Sequence, residues 1–291
     1  MAGIILSSRI IMLSLLFLMI SQHMASVEGG LVRRDSGGDI EKMLINTILP
    51  GISLVGKTID DLLDGSYAVR TAGVVENFSR WTMFFKECTY EHGEANVPMQ
   101  SVKPGYKEGF AAHKSAGVYG VYMKCTFVMN TESPTVDEKV HFMVDVPWDL
   151  SFTKENRLAM AVCNGNTNDA CNSLSLSDMS AGTYDFMARR IYKNSIANIA
   201  KCNKKVCLIG TMGTSHTPIV RIKVYPRDVD DLSEAAAKSL KDNGVPGKDY
   251  ENFLDSTIKY SDKNPANRLK VCSVHIAIAA LFAVCAAATV Y

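Results

Sequence analysis

Residues 139–156, KVHFMVDVPWDLSFTKEN, set the reading of the whole chain. Val140, Phe142, Val144 and Val146 alternate with Lys139, His141, Met143 and Asp145. A period of two marks a strand with one apolar face turned to a core. Pro147 closes it, because proline has no N–H to donate to a ladder. Trp148, Asp149 and Phe152 follow at once. On composition this is an ordinary strand end. It is also an aromatic loop fixed by a proline, and aromatic rings settle well at a membrane interface.

Outward from that strand, residues 69–226 consist of short apolar runs separated by Gly, Pro, Asn and Ser. The runs at 80–85, 118–129, 158–163, 206–212 and 219–225 predict an all-β sandwich. Residues 179–195 read as an exception, a helix with Tyr184, Met187, Ile191 and Tyr192 on one side. Before the sandwich, Asp39 can cap a helix and Glu41 suits its first turn. Ile40, Leu44, Ile48, Ile52, Val55, Ile59 and Leu62 recur at steps of three and four, an amphipathic stripe within residues 35–66. Pro50-Gly51 kinks this helix or splits it in two. Most such stripes pack on a domain. Here the opposite flank is also apolar, with Met43, Ile45, Leu49 and Leu54, which favours a membrane role. About 25 helical residues reach roughly 38 Å, enough for a hydrocarbon layer of roughly 30 Å. The stripe is therefore expected to be an insertable element whose removal leaves a folded sandwich. After residue 226 the chain turns polar, and 227–270 reads as a charged stalk with a short helix at 231–243.

The ends carry processing signals. Residues 1–26 have the apolar run and small-residue exit of a secretory signal. Residues 27–34 end in Arg33-Arg34, a dibasic propeptide site. Residues 271–291 are uncharged apart from His275. They fit either a signal exchanged for a glycolipid anchor, attached at Ser261 or Asn264, or a retained membrane tail. A formal charge of +1 over 291 residues argues against a nucleic-acid partner. Cysteines in an exported chain favour disulfides. Of the eight cysteines, Cys272 and Cys285 lie in the apolar tail; short spacing pairs Cys163 with Cys171 and Cys202 with Cys207, and Cys88 is expected to join Cys125 across two strands. The spacings fit no zinc motif. Asn77-Phe78-Ser79 is a glycosylation sequon, compatible with an exposed loop. No nucleophile elbow, metalloprotease helix or phosphate-cradling glycine loop is present, so no enzyme, metal or cofactor is expected.

The Val146-Pro147-Trp148-Asp149 run, the NRLAMAVCNG segment at 156–165 and TILPGISL at 47–54 resemble the actinoporins. These are sea-anemone pore-forming cytolysins with molluscan relatives among the echotoxins and conoporins. The likeness spans residues 44–225. It implies a mainly β fold, an actinoporin-like β-sandwich flanked by two α-helices, with an N-terminal amphipathic helix that leaves the sandwich to line a pore. It also implies a phosphocholine site. Pro147 matches the family's proline, Asp145 stands where the family has serine, Trp148 holds the neighbouring aromatic position, and Phe152 lies nearest the loop tyrosine. GTYD at 182–185 matches the start of the tyrosine-bearing helix, so Tyr184 corresponds to one pocket ring. Ala188 and Arg189 stand at the other two positions, and the family's Arg-Gly-Asp motif is missing. Aromatic faces would hold the quaternary ammonium, donors would hold the phosphate, and Asp145 would be neutralised by Arg189 or Arg190. The function implied is a secreted cytolysin. It would bind sphingomyelin or other phosphocholine headgroups on a target membrane, self-oligomerise and open a cation-permeable pore. The second reading is a surface-tethered lipid- or ligand-binding module on the same fold without a pore.

Overall fold

The computed structural model describes residues 36–63, 65–115, 117, 119–133, 136–149, 155–165, 169–193 and 195–262. The signal, the propeptide, Phe152 and the apolar tail lie outside them. Two compact units are distinguished, Met1–Asp39 and Ile40–Tyr291. Of the first, only Ser36–Asp39 is described, the opening of a helix. The second unit holds the sandwich.

Twelve strands are described: β1 Leu49–Pro50, β2 Arg70–Asn77, β3 Met83–His92, β4 Glu94–Val97, β5 Tyr106–His113, β6 Val121–Ser133, β7 Val136–Val146, β8 Asn156–Val162, β9 Met187–Tyr192, β10 Ile199–Cys202, β11 Val206–Met212 and β12 Ile219–Pro226. The helices are α1 Ser36–Ile45, α2 Asp169–Asn172, α3 Leu176–Ala181, α4 Glu234–Asp242 and α5 Gly247–Asp262. One sheet runs β1-β5-β2-β12-β11-β10, with β4 on β5. The other runs β3-β6-β7-β8-β9. Their inner faces enclose one core of Phe110, Met123, Phe127, Phe142, Leu158, Met160, Leu208 and Ile222, among others. The fold is the mainly β sandwich expected.

β7 shows why. Val140, Phe142, Val144 and Val146 are all buried in that core. Full burial of each is worth about 1.5–3 kcal/mol relative to exposure. The opposite face departs from a half-buried strand. Met143 is covered by a smaller cluster with Cys163, Cys171, Leu176 and Met179, and His141 and Asp145 are buried too. Cover by α3 outweighs the polar pattern of the sequence.

The three disulfides join Cys88 to Cys125, Cys163 to Cys171 and Cys202 to Cys207, as the spacing predicts. Two bridge directly opposed residues, Cys88↔Cys125 on β3 and β6 and Cys202↔Cys207 on β10 and β11.

Four expectations are corrected. The helix predicted at 179–195 stops at Gly182, which caps α3 in the left-handed region at φ 63°. Residues 187–192 instead form β9, because β8 offers an open edge from Asn156↔Tyr192 to Ala161↔Met187. The stalk is no stalk. Among its polar residues, Ala236, Leu240, Tyr250, Phe253 and Leu254 share one side of α4 and α5 and build a second core with Phe78 and Tyr225. Tyr250 Oη donates to the Pro226 carbonyl at 2.7 Å. The N-terminal stripe is divided. α1 is 10 residues long, about 15 Å at the usual rise, and is followed by turns at Ile52–Leu54 and Asp60–Leu63. Ile40, Leu44 and Ile48 belong to the second core, Leu62 is buried with Leu54, Ala72 and Val74, and Ile59 packs on them partly buried. Ile52 and Val55 stay exposed, at 84% and 69%. The Pro50-Gly51 break outweighs the periodicity, so the stripe is an integral part of the fold. Last, Asn77 lies in no exposed loop. It is fully buried, its Nδ2 donates to the carbonyls of Trp81 (2.7 Å) and Val102 (3.2 Å), and its Oδ1 accepts from Ser79. In the folded chain this sequon is a structural corner. Among the described residues no helix is long and apolar enough to cross a membrane.

Candidate lipid-headgroup site

Antiparallel pairing puts the C-terminal ends of β3, β7 and β9 and the N-terminal ends of β6 and β8 at one end of the five-stranded sheet. A cleft of ≈ 500 Å³ opens there. The close approach of the two strand ends there depends on Gly120, since a Cβ at that position would fall on the carbonyl oxygen of Val146.

One transverse row of residues forms the floor. Register places Tyr122 opposite Asp145, Asp145 opposite Arg157, and Arg157 opposite Ile191. Asp145 is buried and pairs with Arg157, which also donates to Ser180 Oγ at 3.0 Å. The expected partners Arg189 and Arg190 are replaced by the residue directly across the ladder. Burial pushes the Asp145 carboxyl up, and the Arg157 guanidinium works against it. Burial likewise pushes the Tyr122 hydroxyl up; that hydroxyl donates to the Leu176 carbonyl at 2.8 Å.

Arg189 also faces the cleft. Its Nη1 makes a long bond to the Ala181 carbonyl (3.4 Å), and its buried Nε has no partner. Burial, then repulsion from Arg157, lowers its pKa. Glu91, across the sheet on β3, and Glu155, beside the start of β8, face the same space; Glu155 is held by Lys193 at 2.8 Å. The aromatic lip is Trp148, 39% exposed, and Tyr119, 54% exposed. Tyr119 stacks on His92 with centroids 4.2 Å apart. Lys114 Nζ sits 3.9 Å from the Trp148 ring centroid and donates to the Gly117 carbonyl. One indole face is thus already occupied by a cation.

Of the residues expected at the site, Asp145, Pro147, Trp148 and Arg189 line this cleft together. Tyr184 does not. It lies in the turn after Gly182, stacked on Phe186 at 4.9 Å. Glu91, His92, Tyr119, Tyr122 and Arg157 were not foreseen. A signal for two of them was present. With Cys88 opposite Cys125, four residues forward from the first meet about three back from the second, and His92 indeed opposes Tyr122 across a bulge.

No protein-family model matches the chain, and no curated protein matches it. Among solved structures it is similar to the lipid-binding protein Nakanori, at 16% identity and a TM-score of 0.41, over 55% of this chain and 72% of that one. A superposition at that score leaves the function to be argued from the side chains themselves.

Proposed function

We propose that this cleft binds the zwitterionic headgroup of a membrane lipid, of the phosphocholine type. The carrying observation is its dipolar lining. Asp145 and Arg157 neutralise each other, which leaves the guanidinium of Arg189 on one side and Glu91 with the exposed Tyr119 face on the other. A phosphate fits the first through charge-assisted hydrogen bonds, and a quaternary ammonium fits the second through cation–π attraction. Trp148, braced by Lys114, is the ring offered to the interface. Sphingomyelin vesicles test this reading. Trp148→Ala and Tyr119→Ala should each weaken binding about tenfold, or about 1.4 kcal/mol. Unchanged binding in both would remove the site.

The function we favour is binding without a pore, by a protein exported through an oxidising compartment, as its disulfides suggest. A pore built from the N-terminal stripe would first have to withdraw Ile40, Leu44 and Ile48 from the second core. It would also have to free the amides of Ile52 and Ser53, which the Glu108 carboxylate accepts at 3.0 Å each. The same vesicles loaded with a dye should therefore retain it at saturating protein. Dye release would restore the cytolysin reading, with self-assembly in the membrane.

A further inference from the structure

The outer face of the seven-stranded sheet carries a second cleft, of ≈ 530 Å³, between the 50–59 segment and strands β2, β5 and β12. Register fixes what lies under it. Val74 opposes Arg221, and Glu76 opposes Lys107 and Lys223, so all five positions share one face. The cleft is lined by Lys57, Lys107 and Arg221 and by no acidic residue, with apolar walls that include Leu54, Ile59 and Val74. Among the described residues none of these three cations makes an ion pair within 4.0 Å. Two acids answer these cations from outside the lining: Glu76, which is buried and feels Lys223, Lys107 and Arg221 together, and Asp61, which feels Lys57. Lys223 is already engaged by Glu41 at 2.6 Å. Lys57, outside the Glu76 group, feels Asp61 instead, and neither acid lines the cleft. Beside this basic hollow the chain exposes Leu49, Ile52 and Val55. Singly exposed apolar residues are ordinary, but three within seven positions next to cations outside any ion pair make an amphipathic surface.

We infer that this second cleft takes the phosphate of an anionic phospholipid, with Leu49, Ile52 and Val55 resting in the headgroup layer. Cations on a protein surface are drawn to anionic leaflets, and the attraction fades beyond a Debye length. Three donors from separate elements line one hollow, as a phosphate site requires, and the apolar rim suits a ligand held in a bilayer rather than one free in solution. The inference is independent of the dipolar cleft, which lies on the other sheet.

The full mature chain is titrated with vesicles of phosphatidylcholine alone and of phosphatidylcholine with phosphatidylinositol bisphosphate, and separately with soluble inositol trisphosphate. The expected result is tighter binding to the anionic vesicles, lost at high salt. Lys57→Glu should weaken it about thirtyfold, since each basic residue near an anionic surface is worth about 1 kcal/mol and reversal counts twice. Lys57 is the variant of choice because it is not among the charges that balance buried Glu76, so its replacement leaves that carboxylate answered, and circular dichroism checks that the variant is folded. Binding of Lys57→Glu to neutral vesicles should equal that of the parent chain, which keeps failure here distinct from failure of the phosphocholine site. Ile52→Ser with Val55→Ser should lower vesicle binding without changing binding of the soluble headgroup. Equal affinity for neutral and anionic vesicles would overturn the inference. Inositol trisphosphate bound as tightly as the vesicles, with Ile52→Ser and Val55→Ser silent, would overturn the membrane assignment in favour of a soluble phosphate ligand.

Discussion

The outer faces of the two sheets are covered differently, and their charges follow the cover. On the five-stranded sheet the cover is α3, of 6 residues, and the turn closed by Cys163–Cys171. The strand ends stay open, and their charges are mostly matched there: Asp145 with Arg157, Glu155 with Lys193. On the seven-stranded sheet α1, α4 and α5 spread over one end and the 50–63 segment over the other. Helix acids take Lys223 and Arg227, through Glu41 and Asp255, while Lys57, Lys107 and Arg221 collect at the margin. A matched cleft selects by dipole and shape. An unmatched one selects by net charge and is screened by salt.

Stripping the thick cover is the harshest way to break this contrast. Tyr250→Ala removes a fully buried ring and should lower the unfolding free energy by about 4 kcal/mol, measured by urea denaturation. An unchanged midpoint would return residues 227–262 to the role of a stalk.

The thin cover is sharpened by pH. His141 is buried under it beside Cys163 and Cys171. Burial, with Lys124 and Lys139 adding to it, holds the imidazole down to about 4. The unfolded chain takes up this proton near an ordinary 6.5. Between those values the unfolded state binds more protons, so stability is full above about 6.5 and falls as pH drops toward 4, by about 3 kcal/mol in all. Thermal unfolding across that window should show the decline, and His141→Gln should flatten it.

Next in size is the matched pair. Arg157→Gln leaves the Asp145 carboxylate buried without its partner. Because the Arg157 side chain is 35% exposed, water screens part of the loss, and about 2 kcal/mol is expected. Asp145→Asn in the same chain should return most of it in a double-mutant cycle. The smallest effect belongs to the α3 cap. The Ser175 hydroxyl accepts from the Asp178 amide, and the Asp178 carboxylate accepts from the Ser175 amide. Ser175→Ala should cost about 1 kcal/mol in the same denaturation assay.

The sandwich was legible where period and partner agreed. β12 carries clean alternation, and its Val220, Ile222 and Val224 lie inside. β2 and β5 were passed over as strands, although both are buried almost throughout, because short Ala- and Gly-containing runs lack a strong period. Residues 187–192 were read as helix from spacing alone, and an open edge on β8 decided otherwise. Tyr184 misled for the same reason: its place in the site depended on a helix that Gly182 ends. In the cleft, the residues flanking the signature Pro147 were readable, whereas Arg157 and Tyr119 reach it through pairings that only the assembled sheet specifies. The polar segment 227–262 hid its core because six buried side chains, from Leu232 to Leu254, are spread over 23 positions, too thin for composition to register.

The parallel neighbours β2 and β12 bear on how the chain is made. Thr71 Oγ1 donates to the Pro218 carbonyl across 147 residues, and β2 is seated between β5 and β12. The larger sheet cannot close until residue 226 has emerged from the ribosome, so its first strands must wait with one edge unsatisfied. Late closure of a long-range pairing slows folding and exposes an aggregation-prone edge. All strands of the five-stranded sheet have been synthesised by Tyr192, before β10 to β12, so the surface on which the larger sheet is completed precedes its last strands out of the ribosome.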